Sequence, residues 1–252
     1  MPSILDSITF VLVEPAQPGN VGSVARAMRN MGLKNLTLVN PPDHKSGDAR
    51  KMAVGSGDIL YGARVCTSLQ EALADVKLAV ATTHRPRRND HVLIGPQEVA
   101  RQVLALPEGD QAAIVFGREE HGLTNEEIQL CQMAGRIASA ATYPSLNLSQ
   151  AALIIGYELY RAAENPPERG DLDLASHQQI ESLFDHIERS LDGLGFNHLN
   201  RPRSFMRSLR RTLGRIPMER RDAATLHRVF RQIDKFLIRH GLNDSELPGK
   251  KS

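Results

Sequence analysis

Apolar residues in the first 165 positions of the chain follow two alternating patterns. Short apolar runs rich in β-branched residues predict buried strands, and the stretches between them, with apolar residues three and four positions apart, predict helices. The predicted strands are Ile8–Val13, residues 36–39, Leu78–Thr82 and residues 113–116. Because strands that alternate with helices form parallel sheets covered on both faces, the sequence predicts an α/β fold.

The segment after the first strand has the clearest helical pattern. Val21, Val24 and Met28 lie on one side of a helix, as the spacing of a core-facing stripe requires. Asn20 is the predicted N-cap, because an asparagine oxygen accepts hydrogen bonds from the free amides of the first turn. Gly32 is the predicted stop, because glycine adopts the left-handed backbone that ends helices.

From residue 146 onward the sequence predicts helices without strands between them. Residues 146–163 predict a helix that is apolar nearly all round, which is typical of a core or a subunit interface. A polar, proline-containing stretch follows, and then apolar residues recur at helical spacing. We therefore predict a domain at residues 1–165, a linker at 166–175 and a small all-α domain at 176–252.

The composition indicates a globular protein outside the membrane. Hydrophobic residues make up 41% of the chain and charged residues 24%, which are ordinary values for a soluble domain. No apolar run approaches the roughly 20 residues that span a bilayer, and the N-terminus does not resemble a secretory signal. Cys66 and Cys131 have no Cys or His cluster around them. We therefore expect no metal site and a cytoplasmic location.

Charge is distributed unevenly along the chain. Residues 176–252 carry 15 lysines and arginines against 9 acids, a net charge of +6, whereas residues 1–165 have a net charge of −2. Residues 201–221 alone hold eight arginines and one acid, Glu219. A basic domain beside a near-neutral one suggests an anionic polymer as partner. On charge alone, a solvated basic surface explains the pattern equally well.

Three polar clusters adjoin the predicted strands and the apolar helix, where open α/β sheets bind ligands. They are PGNVGSVAR at 18–26, GREEHGLTNEE at 117–127 and YPSLNLS at 143–149. Taken singly, each cluster has a simpler explanation: Arg26 as a solvated surface residue, Thr124 with Glu127 as a capping box, and Ser145 as an N-cap. The glycine-rich fingerprints of dinucleotide-binding folds and P-loop enzymes are absent.

Together and in this order, the clusters resemble the three motifs of the TrmH-type branch of the SPOUT RNA methyltransferases. Residues 183–237 resemble the C-terminal domain of the TrmJ type, so the resemblance covers nearly the whole chain. It implies a SPOUT fold: a parallel α/β sheet with a deep C-terminal trefoil knot, working as a homodimer, plus the small all-α domain. It also implies S-adenosylmethionine as cofactor and tRNA as partner.

The family's site residues carry over to matching positions of this sequence. The catalytic set would be Arg26, Asn20, Glu119, Ser145 and Asn147. The cofactor pocket would be lined by Thr82, Thr83, His84, Gly117, Ile137, Pro144, Ser145 and Leu146. In this family the role of base is usually assigned to the arginine. Because a guanidinium is a poor proton acceptor, Arg26 could instead clamp the phosphate and the hydroxyl oxygen, with Glu119 orienting it or sharing the proton.

Contacts to RNA are expected from two basic segments. The loop after Leu78–Thr82 departs from the family pattern, with His84 where an alanine is common and without the usual Ile-Pro-Trp, and it would face RNA through Arg85, Arg87 and Arg88. The helical domain would contribute Arg203, Arg207, Arg210 and Arg211. A planar guanidinium suits bidentate binding of phosphate.

The resemblance implies 2′-O-methylation of the ribose at the first nucleotide of the tRNA anticodon loop (position 32), on cytidine and possibly uridine. Two alternatives stay open: a 2′-O-methyltransferase of ribosomal RNA, and a catalytically silent RNA-binding protein with the same fold. The basic helical domain disfavours the first alternative, and the joint presence of all five catalytic residues disfavours the second.

Overall fold

A computed structural model describes residues 4–84, 93–140, 145–168, 172–196, 202–214 and 218–240. The chain divides into two compact units, Met1–Asp171 and Leu172–Ser252, here called the sheet unit and the helical unit. Within the described ranges, no helix combines the length and the apolar character needed to cross a membrane.

Parallel strands form the core of the sheet unit, in the order β3-β2-β1-β6-β4-β7-β5. They are β1 (Ile8–Val13), β2 (Asn35–Val39), β3 (Arg64–Cys66), β4 (Leu78–Thr82), β5 (Leu93–Ile94), β6 (Ala112–Phe116) and β7 (Met133–Gly135). The rings of Phe10 and Phe116 pack in the centre of the sheet, 5.1 Å apart. The predicted α/β fold and its four strands are confirmed. The short strands β3, β5 and β7 were not predicted, because two or three residues carry no readable pattern.

Helices cover the sheet on both sides, as parallel strands require. They are α1 (Pro18–Asn30), α2 (Gly47–Met52), α3 (Gly57–Tyr61), α4 (Leu69–Leu73), α5 (Pro96–Leu104), α6 (Asn125–Gln129) and α7 (Leu148–Glu164). Helix α7 packs against both α1 and α5, and Leu148, Ile155 and Leu159 are buried there.

The predicted start of α1 is wrong, and its predicted end is confirmed. The helix begins at Pro18, after an N-cap at Gln17 that makes no side-chain bond. Proline suits the first turn because it lacks the N–H that would remain unpaired there. Asn20 therefore lies inside the helix, where its side chain is available for other contacts. Gly32 follows the helix with φ +71°, as a helix stop requires.

The helical unit consists of α8 (His177–Gly193), α9 (Pro202–Leu213) and α10 (Arg220–Arg239) in its described part. Its core is formed by Leu183, Phe184 and Ile187 with residues from α9 and α10, so the C-terminal region is helical, as predicted. Residues 172–175, at the end of the predicted linker, are part of this unit. Their backbone bonds to residues 218–220, with the Ala175 N–H donating to the Met218 carbonyl over 2.8 Å.

Candidate active site

A pocket lies at the carboxyl ends of three adjacent strands, β6, β4 and β7. Its walls come from the segments that leave these strands and from the start of α7. Of the residues predicted to bind the cofactor, Thr82, Thr83, His84, Gly117, Ile137, Ser145 and Leu146 line it. Pro144, the remaining one, lies outside the described residues. The structure thus brings together segments that are far apart in sequence.

Gly117 permits the close backbone approach that shapes this pocket. A Cβ atom at this position would lie 2.3 Å from the carbonyl carbon of Gly122 and from the backbone nitrogen of Leu123. No side chain fits there, so the loop folds back tightly on itself. Gly122 has φ +67°, which closes the turn. Thr124 then caps α6 in a capping box with Glu127, as predicted from the sequence.

Arg118 holds the loop after β6 in place through bonds to two carboxylates, Glu14 and Glu127. Its guanidinium donates two hydrogen bonds to the Glu127 carboxylate, both 3.0 Å, and Nε donates to Glu14 Oε2 over 2.9 Å. Glu14 directly follows β1 and has φ +45°, a left-handed conformation that non-glycine residues seldom adopt. The hydrogen bond from Arg118 holds the pKa of the Glu14 carboxyl below its usual range. The ends of β1 and β6 are therefore joined by charged hydrogen bonds.

Glu119 starts a chain of hydrogen bonds between three of the predicted catalytic residues. Its Oε1 accepts from Asn20 Nδ2 over 2.7 Å, and its Oε2 accepts from the Ala16 backbone N–H over 2.9 Å. Asn147 Nδ2 donates to Asn20 Oδ1 over 3.2 Å. The same Asn147 side chain caps α7 by accepting from the Ser149 N–H. The loop after β6, the helix after β1 and the start of α7 are thus held in register.

Two predicted catalytic residues stand apart from this chain of bonds. Arg26 is exposed and makes no hydrogen bond or salt bridge with any other described residue. Its neighbour Arg29, also exposed, pairs with Asp58 of α3. Ser145 is exposed at the pocket wall, and the N-cap of α7 is Asn147 and not Ser145. Arg26 and Ser145 therefore keep their polar groups open to a bound molecule.

Thr82 contributes to the pocket mainly through its backbone. Its hydroxyl donates to the Val115 carbonyl of the neighbouring strand over 2.9 Å, so the hydroxyl proton is not available to hydrogen-bond a ligand. The Thr83 N–H donates to the Gly135 carbonyl over 3.0 Å, which holds the pocket side of β4 to β7. Within the described residues, no group of His, Cys, Asp or Glu has the arrangement of a metal site.

The predicted RNA contacts have different outcomes in the structure. Arg85, Arg87 and Arg88 lie outside the described residues. Arg203 belongs to α9. Arg207 and Arg211 are exposed on α9. Arg210, in contrast, forms a bidentate salt bridge with Glu181, at 2.6 and 2.9 Å, and covers the Phe184 ring at 4.3 Å. Arg210 therefore packs the helical unit together and is not a free cation.

Sequence reasoning missed Glu14, Arg118 and the amide of Ala16. Glu14 and Arg118 are 104 positions apart, and no local pattern reveals such a pairing. A usable signal was present for Arg118, since it lies inside the motif that supplied Gly117 and Glu119.

Comparisons with known proteins identify relatives of both units. The SpoU rRNA Methylase family model matches residues 7–157, and the model of the tRNA methyltransferase TrmJ C-terminal domain matches residues 178–243. A tRNA (cytidine/uridine/adenosine-2′-O-)-methyltransferase TrmJ of Pseudomonas aeruginosa is 38% identical, over 92% of this chain and 95% of its own. The tRNA (cytidine/uridine-2′-O-)-methyltransferase TrmJ of Salmonella typhimurium is 37% identical, over 92% and 98%. The solved structure of TrmJ from Z. mobilis superposes with a TM-score of 0.79 at 28% identity, covering 90% of this chain and 98% of its own.

Proposed function

We propose, because the chain belongs to the SpoU rRNA methylase family, that it transfers a methyl group from S-adenosylmethionine to the 2′-hydroxyl of a ribose in tRNA. The bonded group of Glu119, Asn20 and Asn147 beside the pocket carries this proposal. The curated relatives that match both units are named as tRNA 2′-O-methyltransferases. We expect the target to be the first nucleotide of the anticodon loop, position 32, as cytidine or uridine.

The alternatives are less well supported. The family model is described by rRNA methylation, but the helical unit matches a tRNA methyltransferase domain, which favours tRNA as substrate. A catalytically silent protein would not need Glu119 and Asn20 held at 2.7 Å. We therefore favour an active enzyme on tRNA.

The pocket suits the methyl donor. Tight packing around Gly117 leaves backbone groups at the pocket wall, and Ile137 and Leu146 add apolar surface. Small-molecule sites combine apolar walls with a few fixed polar groups in this way. S-adenosylmethionine supplies an activated methyl group, so the protein must mainly orient the ribose and assist loss of the hydroxyl proton.

Glu119 and Arg26 have different roles in orienting the ribose and stabilising the transition state. Both carboxylate oxygens of Glu119 accept hydrogen bonds, one from the Ala16 N–H just before α1 and one from the Asn20 side chain. Glu119 therefore orients Asn20, and neither of these bonds reaches Arg26. Arg26 offers an unpaired guanidinium that can bind the phosphate and hydroxyl oxygen of the target nucleotide and stabilise the charge that develops there. We favour this clamp over a role as base, because a guanidinium stays protonated in proteins.

A homodimer is supported by the outer side of α7. Leu153, Tyr157 and Tyr160 are 40–49% exposed and lie on one face of this helix, whereas Ile155 is buried within the chain. Large apolar side chains grouped on one exposed helix face are typical of a subunit interface. We also expect the trefoil knot of the family, a cytoplasmic location and a boundary between the two domains at residues 166–175.

The test is to map 2′-O-methylation on purified tRNA, with rRNA alongside, after incubation with protein and S-adenosylmethionine. Methylation at position 32 is expected. Arg26→Ala should lower turnover about 100-fold, the scale of a lost charge-stabilising group, with cofactor affinity unchanged. Arg29→Ala, a change on the same helix at a residue paired with Asp58, is the matched control. Methylation of rRNA alone would refute the proposal, and an active Arg26→Ala enzyme would refute the role of Arg26.

A further inference from the structure

The arginine-rich stretch at residues 201–221 offers fewer free cations than its sequence indicates. Arg210 is held by Glu181, Arg220 pairs with Asp173 at 2.9 Å, and Arg221 pairs with Glu219 at 2.8 Å. In the described side chains of this stretch, Arg207 and Arg211 remain exposed without an acidic partner. A large basic surface on the helical unit must therefore be sought elsewhere.

Helix α10 has such a surface. Arg228, Arg231, Lys235 and Arg239 are all exposed, and their spacings of three, four and four residues put them on one face of the helix. At about 1.5 Å per residue, they span about 16 Å. Within the described part of the chain, none of the four forms a salt bridge. We call these four residues the α10 stripe.

The acid nearest to the stripe in sequence bonds to residues of another helix. Asp234 is turned toward α8, where it accepts from Ser190 Oγ over 2.5 Å and bonds to His186 Nε2 over 2.8 Å. His186 Nδ1 lies 2.7 Å from His227 Nδ1. This network orients the Asp234 carboxylate toward α8, and it forms no salt bridge with the cations of the stripe.

Exposed apolar groups border the stripe on both sides, with Ile238, 68% exposed, beside Arg231 on one of them. Val229 and Phe236 are each 52% exposed, and Phe236 packs on the His240 ring, with ring centres 4.1 Å apart. The apolar face of α10 that points inward, with Ala223 and Leu237 buried, is already used against the rest of the unit. A membrane-surface helix needs a free apolar face opposite its cations. The arrangement therefore fits a polyanion better than a lipid surface.

We infer that the α10 stripe is a contact surface for the sugar–phosphate backbone of RNA, separate from the arginines of α9. The inference rests on the proposed function for the identity of the RNA. A row of unpaired cations on a rigid helix binds phosphates without reading bases. The exposed Phe236 ring adds a surface on which an unpaired base can stack. The stripe thus supplies affinity for tRNA and does not select the target nucleotide.

The test uses the full chain with three neutral substitutions, Arg228→Gln, Lys235→Gln and Arg239→Gln. The matched control is Lys34→Gln, Arg64→Gln and Arg101→Gln, three exposed cations of the sheet unit with the same change in net charge. Fluorescence titrations with tRNA at several salt concentrations measure affinity and its salt dependence.

The stripe variant should bind tRNA at least tenfold more weakly. The slope of log K against log salt should flatten by about 2–3, because each lost phosphate contact removes about 0.7–0.9. Turnover at saturating tRNA should stay within about twofold of the unaltered enzyme, since the stripe positions no reacting group. The control should keep the affinity and slope of the unaltered protein.

Equal affinities and slopes for the stripe variant and its control would overturn the inference. It would also be overturned if the stripe variant lost binding to phosphatidylserine vesicles while tRNA binding was unaffected. Failure of the proposed function looks different: the unaltered protein would bind tRNA through the stripe but transfer no methyl group to it.

Discussion

Arg118 in the sheet unit and the α10 stripe in the helical unit represent two uses of a positively charged side chain. Arg118 is held by two carboxylates, is 23% exposed, and joins the ends of two strands. The cations of the stripe are exposed and have no acidic partner among the described residues. A paired guanidinium has a fixed geometry, whereas an unpaired one keeps its charge for a ligand. Arg118 therefore serves to position the site, whereas the unpaired cations of the stripe, like Arg26, keep their charge for a ligand.

Arg210, one of the paired arginines of the helical unit, makes this comparison testable. It lies in the helical unit but resembles Arg118: both form bidentate bonds to a glutamate and both are about one-fifth exposed. If pairing decides the role, Arg210 should matter for stability and not for RNA binding. Substitutions of Arg118 and Arg210 test the comparison, and a substitution of the buried His177 follows them, in order of decreasing expected effect.

Replacing Arg118 should have the largest effect, on catalysis. Arg118→Gln removes the bonds to Glu14 and Glu127, so the loop that carries Glu119 loses its anchors. A misplacement of about 1 Å can lower a rate about 100-fold, and we expect a loss of about 10- to 100-fold in kcat. The KM for tRNA and the salt dependence of binding should be unchanged, which steady-state kinetics and titrations would measure.

Two further variants sharpen this test. Arg118→Lys keeps the charge but cannot bond to Glu127 through two nitrogens, and it should recover part of the activity. Arg101→Gln breaks an exposed pair with Glu98 on α5 and should leave kcat unaltered. A rise in KM for tRNA with normal kcat in Arg118→Gln would mean that this arginine binds RNA, contrary to the comparison.

Replacing Arg210 should have an intermediate effect, on stability. Arg210→Gln removes the salt bridge to Glu181 and the contact with the Phe184 ring. Because the pair is half-buried, we expect the helical unit to lose about 1–2 kcal/mol of its free energy of unfolding, measured by urea denaturation of the full chain. The slope of tRNA affinity against salt should not change. A flatter slope at full stability would show that pairing does not exclude a cation from RNA binding.

His177 should produce the smallest effect, a dependence of stability on pH. Burial lowers the pKa of this imidazole below 6.5, and both its ring nitrogens lack a partner in the described structure. Below pH 6.5 the unfolded chain therefore binds a proton that the folded chain does not. The free energy of unfolding must fall as the pH drops from 6.5 toward the lowered pKa, by at most about 1.4 kcal/mol for each pH unit in that range.

Urea denaturation at pH 7.5 and 5.5 measures this loss. His177→Leu should reduce it, leaving the part that comes from His44 and His227, whose pKa values burial also lowers. His121→Gln, at a residue that is 82% exposed, should leave the loss unchanged. If all three proteins lose the same stability, His177 does not remain neutral in the folded state.

The sequence alone determined the four longer strands, the family and most of the residue types of the site. Strand Ile8–Val13 and the capping box at Thr124 are local patterns, set by hydrophobic periodicity and by hydrogen bonds over three residues, and the structure confirms both. The three motifs identified the methyltransferase family, which the comparisons confirm. Local chemistry of this kind requires no knowledge of distant residues.

The tertiary structure decided which polar and charged side chains bond to other residues and which remain exposed. Asn20 looks like an N-cap in sequence, yet Glu119, 99 positions away, bonds to it inside the helix. Arg210 looks like its neighbour Arg211, yet Glu181 on another helix holds it and leaves Arg211 exposed. A hydrogen bond depends on distances of about 3 Å, and the fold alone brings residues this far apart in sequence within that distance.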